Sequence, residues 1–205
     1  MITKKQLKIF EVFAKKPFGE FTRKQIKKES KERSNNALAL AINLLKKEEV
    51  IIEKKIGNSG LLQLNLNNDL TYIYLNLCNY ERTAPIVKQS LKRIKEEINS
   101  FTPFYSLVIF GSYALNQQKI NSDIDIAIFI NNEEKKPIIA LINSAKLKIP
   151  LEMDIHLITK AEMVEMLTNN EENLGKQIAR KHLSVYNIQI FYEIIKEGIK
   201  HGLRI

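Results

Sequence analysis

The sequence predicts an α+β protein in two parts: a helical segment closed by a hairpin, then a small mixed sheet flanked by helices. Three observations carry this expectation. Apolar residues recur at helical spacing through residues 1–47 and again after Pro85. Val50-Ile51-Ile52 and Leu61 to Leu64 bracket the turn residues Gly57-Asn58-Ser59-Gly60, as in a hairpin. Three short apolar runs, Tyr105 to Phe110, Asp123 to Ile130 and Pro150 to Leu157, then read as strands.

The first helix opens with Thr3-Lys4-Lys5-Gln6, a capping box, followed by Leu7, Phe10 and Ala14 at helical spacing. Pro17 and Gly19 stop it. Thr22-Arg23-Lys24-Gln25 is a second capping box, for a short helix to about Lys28. Ser34 caps a third helix, where Leu38, Ala41, Ile42 and Leu45 form one buried stripe. After the hairpin, Asn68 to Asn79 reads as a connecting helix packed by Leu70, Ile73, Tyr74 and Leu77, with Cys78 a packed residue. The break at Tyr80 to Pro85 places a domain boundary, giving domains over 1–80 and 81–205.

Three helices followed by a hairpin is the order of a winged helix-turn-helix, and residues 1–80 resemble that family. The resemblance implies DNA binding, with the third helix in the major groove. Away from its apolar stripe that helix carries Asn35, Asn36, Asn43, Lys46 and Lys47. Asparagine can pair two-point with adenine, and lysine can meet phosphate. The wing offers Lys54, Lys55 and Asn58. The plainer alternative is a winged helix used for protein contact, with these residues solvated.

Composition agrees with a soluble globular protein of 205 residues, 44% hydrophobic and 27% charged. No apolar stretch approaches the roughly 20 residues of a membrane helix. The N-terminus alternates charge with apolar residues, unlike a signal peptide. A lone cysteine cannot form an internal disulfide, so a cytoplasmic location is expected. The net charge is +9 and uneven. Residues 1–80 hold 15 Lys and Arg against 8 Asp and Glu, an excess of 7; residues 81–205 hold 17 against 15, an excess of 2. The first excess suits a polyanion, or a lysine-rich solvated surface.

Residues 107–130 carry the chemistry. An apolar run ends in Gly111-Ser112, with a short helix expected through Ala114 and Leu115. Gly111 lets the backbone approach a phosphate, helix N–H groups can hold it, and the Ser112 hydroxyl adds a donor. Asp123 and Asp125 head the next strand and are expected on one face, with Ile124, Ile126 and Ile128 on the other. Paired carboxylates repel unless a cation lies between them, and Mg²⁺ takes such oxygen ligands. The third strand carries Glu152, Asp154 and His156 on one face, so a third carboxylate can complete a two-metal site. The plain reading of His156 is a packed or solvated histidine. The cluster Lys176, Arg180, Lys181 and His182 reads as a solvated helix face.

Gly111-Ser112, ten residues, then Asp123-x-Asp125, with Asp154 on a later strand, resembles the DNA polymerase beta-like nucleotidyltransferase superfamily. The likeness covers about residues 85 to 190 and is nearest its minimal nucleotidyltransferase branch. It implies that Asp123, Asp125 and Asp154 are catalytic Mg²⁺ ligands and that Gly111 and Ser112 contact the nucleotide. It implies a nucleotidyltransferase that moves a nucleoside monophosphate, most simply AMP from ATP, to an acceptor. Members of that branch often act as antitoxins that modify or mask a HEPN-type toxin, so the resemblance implies a protein as one acceptor, with a tRNA or RNA end as another. Where the family often has Arg-Gly after the alanine of the turn, this chain has Leu115-Asn116. That removes one basic phosphate contact, while asparagine tolerates the left-handed backbone. The alternative is a DNA-binding regulator or antitoxin whose second domain only senses nucleotide or binds a partner. The last helix is available for packing or for a homodimer.

Overall fold

A computed structural model describes residues 2–57, 59–119 and 122–202. The chain divides into two compact units, Met1–Tyr80 and Glu81–Ile205.

In the first unit, α1 (Lys4–Lys15), α2 (Arg23–Glu29) and α3 (Asn35–Lys47) precede β1 (Ile51–Ile56) and β2 (Ser59–Leu64). The caps form as their residues dictate. The Gln6 backbone N–H donates to the Thr3 hydroxyl, and the Gln6 side chain accepts from the Thr3 backbone at 2.9 Å. Thr22 and Gln25 repeat the box, and the Ser34 hydroxyl accepts from the Ala37 N–H at 3.2 Å. Such a cap contributes about 1 kcal/mol. Leu38, Ala41, Ile42 and Leu45 are buried as one stripe of α3. The strands pair antiparallel from Ile51 opposite Leu64 to Ile56 opposite Ser59, and Phe21 bridges to Leu62. Asn58, at the expected wing tip, lies outside the described residues.

The connecting helix, α4 (Asp69–Arg82), is turned from its expected phase. Ile73 and Leu77, expected to pack, are 61% and 41% exposed; Tyr74 and Cys78 are buried as expected, and Thr71 and Leu75 face inward with them. Polar anchors set that phase. The Thr71 hydroxyl donates to the Asn65 carbonyl at 2.8 Å, and the Tyr74 hydroxyl to Glu48 at 2.7 Å. A helix turns about 100° per residue, so a small change of phase exchanges its buried and exposed sides.

The second unit runs α5 (Pro85–Asn99), β3 (Ser106–Phe110), α6 (Gly111–Ala114), β4 (Ile124–Ile130), α7 (Lys135–Lys146), β5 (Met153–Thr159), α8 (Lys160–Thr168), α9 (Leu174–Arg180), β6 (His182–Tyr186) and α10 (Ile188–Lys200). One four-stranded mixed sheet has the order β5-β4-β3-β6, with β4 and β5 parallel and β3 antiparallel to both its neighbours. Ile124, Ile126, Ile128 and Ile130 pack with Leu107 and Ile109 on the apolar faces of α5 and α7. Burial of each such side chain contributes roughly 1.5–3 kcal/mol. On the opposite face Phe129 meets Phe191 of α10 at 5.3 Å. That alternation leaves Asp125 on the face opposite the isoleucines.

Lys176 and His182 are buried rather than solvated. The Lys176 ammonium donates to the carbonyls of Asn169 and Glu171, closing the turn between α8 and α9. The His182 Nδ1 lies 3.1 Å and 3.0 Å from the carbonyls of Ile178 and Ala179, so that nitrogen carries the proton and Nε2 accepts from the Tyr192 hydroxyl at 3.1 Å. Burial holds this imidazole down at about 4. Among the described residues no helix is long and apolar enough to cross a membrane.

Candidate functional site

β3 delivers the chain to Gly111, whose φ of +66° belongs to the left-handed region. Glycine is required here for a second reason. A Cβ at this position would lie 2.1 Å from the Asp125 Oδ2. The carboxylate of β4 therefore packs directly on the backbone of the turn. Among the described residues none hydrogen-bonds the Ser112 hydroxyl, while the Ser112 carbonyl accepts from Gln117 at 2.9 Å and holds the turn closed. Helix α6 has four residues. Its contribution to anion binding is therefore its few local N–H groups rather than a long helix dipole. Asn116 adopts φ +55°, the left-handed backbone that asparagine tolerates, and Leu115 beside it is exposed.

The parallel pairing of β4 with β5 sets Asp125 directly beside Asp154. Side chains at paired positions of neighbouring strands leave the sheet on the same side. Asp154 is exposed, and its Oδ2 lies 3.1 Å from the His156 Nε2. The His156 ring in turn lies 5.7 Å from that of Phe110, the residue before the glycine turn. Burial, then the charge of Asp154, pushes the Asp125 carboxyl above the ordinary carboxylate range; Asp123 adds to this and His156 opposes it. The imbalance is one that a bound cation relieves.

The arrangement gathers Gly111, Ser112, Asp125 and Asp154 at one end of the sheet and treats Asp123 differently. β4 begins at Ile124, so Asp123 precedes the pleat that would fix its direction. Asp123 is exposed and lines a cleft of about 420 Å³ with Lys146 and Glu152. β5 likewise begins at Met153, so Glu152 is outside the strand expected to carry it, although its carbonyl accepts from the Ile124 N–H at 3.0 Å. Among the described residues no three His, Cys, Asp or Glu side chains converge as a preformed metal group. The donor set is nevertheless that of a hard cation: carboxylate oxygens with room for water and phosphate oxygens.

In the first unit, Asn35, Asn36, Asn43 and Lys47 are exposed on α3. Lys46 is engaged within the unit: its ammonium pairs with Glu53 of β1 at 2.5 Å, and this contact holds the Glu53 carboxyl below its usual range. A cleft of about 460 Å³ between α2 and α3 was not marked by the sequence patterns. Arg23, Lys24, Lys27 and Asn35 surround an apolar floor of Leu38, Ala39 and Ile42. The run of cations on the short α2, Arg23, Lys24 and Lys27 at i, i+1 and i+4, is the available signal.

Comparison with known proteins adds independent findings. The family model described as "Nucleotidyltransferase domain" matches residues 91–191. A protein of Methanocaldococcus jannaschii named "Putative protein adenylyltransferase" is 38% identical over 80 residues, which make up 38% of this chain and 80% of that protein. A solved structure described as "Crystal structure of the toxin-antitoxin with AMP-PNP" is 20% identical, with a TM-score of 0.34, covering 54% of this chain and 82% of that one.

Proposed function

Because the chain belongs to the nucleotidyltransferase family, we propose that its second unit transfers AMP from ATP to a hydroxyl of a partner protein. The observation that carries this reading is the packing of the Asp125 carboxylate between the Gly111 turn and Asp154. The turn offers backbone N–H groups and the Ser112 hydroxyl to the triphosphate. Asp125 and Asp154 would hold Mg²⁺, with Asp123 free to swing in from the strand end. Bound there, the metal would neutralise phosphate charge and favour the ionised acceptor. The acceptor oxygen bonds to the α-phosphorus, the bond to the β-phosphate oxygen breaks, pyrophosphate leaves, and the hydroxyl proton passes to solvent.

A protein acceptor is supported by the name of the Methanocaldococcus jannaschii relative, and a HEPN-type toxin by the resemblance of the motif to minimal nucleotidyltransferases. The test is incubation of the chain with Mg²⁺, α-labelled ATP and candidate acceptors, with Asp125→Asn in parallel. Label appearing on the acceptor only with the unsubstituted chain is the expected result. Equal labelling by the variant, or no nucleotide binding by either chain, would sink the reading.

A second reading concerns residues 1–80: a winged helix that binds DNA and makes the molecule a regulator as well as, or instead of, an enzyme. The basic cleft between α2 and α3 favours it, since Arg23, Lys24 and Lys27 line it together with the exposed Asn35 of α3. A DNA selection at defined salt tests it, and absence of binding at low salt counts decisively against it.

A further inference from the structure

Asp154 stands apart from the other carboxylate of the pair. It is about 60% exposed, whereas Asp125 is braced against the Gly111 backbone. An exposed aspartate samples several rotamers, and a cation gains little from a ligand that must first be immobilised. Among the described residues the Asp154 carboxylate receives its hydrogen bond from the His156 Nε2 at 3.1 Å. The acceptor is a carboxylate, so this nitrogen is the donor. His156 is itself held: it lies two residues along the same strand face, with its ring against Phe110. Phe110 is buried and directly precedes the glycine turn.

We infer that His156 is a positioning residue, which fixes the Asp154 carboxylate for cation binding by a hydrogen bond to Oδ2 while Phe110 fixes the imidazole. Oδ1 is left for the metal. The chain of contacts from the turn through Phe110 and His156 to Asp154 links the phosphate-binding and metal-binding parts of the site. The inference rests on the reading of Asp125 and Asp154 as metal ligands. Hydrogen-bonded partners of metal-binding carboxylates typically change metal affinity by about 10- to 100-fold when removed.

The experiment is direct titration of the full chain with Mn²⁺ alone, counting the free ion by its electron paramagnetic resonance signal at one fixed pH. His156→Phe keeps a ring against Phe110 and removes the donor. His156→Gln keeps a donor and removes the ring. The expected result is a dissociation constant raised about 10- to 100-fold in His156→Phe and largely restored in His156→Gln. A purely packing role predicts the reverse order and overturns the inference. Asp125→Asn separates the two claims. Loss of Mn²⁺ binding there with wild-type binding in His156→Phe defeats the inference alone. Binding that survives Asp125→Asn, or no uptake by the unsubstituted chain, defeats the metal reading and the inference with it.

Discussion

At position 111 two constraints coincide, a left-handed φ and a carboxylate within touching distance of where a Cβ would stand. Gly111→Ala should therefore destabilise the second unit by about 1–2 kcal/mol from the backbone alone, with a further cost from displacing Asp125. The two costs separate in a double-mutant cycle. In an Asp125→Ala background the clash is absent, so Gly111→Ala should cost measurably less; strict additivity in denaturant unfolding would show that the two residues do not touch. Asp125 also carries a pH signature. Its folded-state pKa is raised, so the folded form keeps its proton to higher pH than the unfolded chain. Its contribution is most favourable at low pH and is lost as pH rises through the folded pKa. The melting temperature of Asp125→Asn, relative to the unsubstituted chain without metal, should accordingly rise as pH is raised above about 4, the ordinary aspartate value. The same variant should lose nucleotide binding, as expected where a functional site holds like charges together. A flat difference across that range would remove the claim that Asp125 is electrostatically frustrated.

At the scale of elements, the α9–β6–α10 segment is held by a buried neutral imidazole. His182 is depressed to about 4 from 6.5, so the unfolded chain takes up its proton first on acidification. Stability is fully present above about pH 6.5 and falls as pH drops toward about 4, by roughly 3 kcal/mol in all. Chemical denaturation of the unsubstituted chain against His182→Gln checks this: the acid-dependent loss should shrink in the variant. An unchanged pH slope would place the titration elsewhere. His182 also shows where the sequence stops being legible. The caps at Thr3, Thr22 and Ser34 are local patterns, and they form as written. So does the α3 stripe, because one apolar face of a helix is encoded within a dozen residues. The partners of His182 and Lys176 are instead backbone carbonyls at the end of α9 and in the turn after α8, which a residue pattern does not mark. The phase of α4 was hidden for the same reason, since Thr71 and Tyr74 bond to residues outside the helix. The site divides likewise. Gly111, Ser112 and Asp125 lie on adjacent chain segments with a recognisable spacing, whereas the pairing of Asp154 with Asp125 depends on the parallel register of β4 and β5. Neighbouring sequence does not encode that register.

For the whole molecule the relevant quantity is the division of charge between two compact units, an excess of 7 in residues 1–80 against 2 in residues 81–205. If the first unit grips DNA phosphates, its affinity must fall with salt in proportion to the phosphates neutralised. Individual lysines then become countable. Lys24 in the α2–α3 cleft and exposed Lys47 have their charge available, so alanine at either should reduce the slope of log affinity against log salt by about 1. Lys46 is already neutralised by Glu53, so Lys46→Ala should change the slope less, and Glu53→Gln should steepen it by releasing that ammonium. Asn36→Ala and Asn43→Ala belong to a different class: they should weaken preference among sequences while leaving the salt slope intact, because amide contacts to base edges release no counterions. Two compact units also predict separable functions. Asp125→Asn should leave the DNA salt slope unchanged, and Lys47→Ala should leave adenylyl transfer to a protein acceptor unchanged. Fluorescence anisotropy across a salt series measures the first, and label transfer measures the second. Equal slopes for Lys24→Ala, Lys46→Ala, Lys47→Ala and the unsubstituted chain would mean that the basic face of the first unit is merely solvated, and that its partner must be sought among proteins.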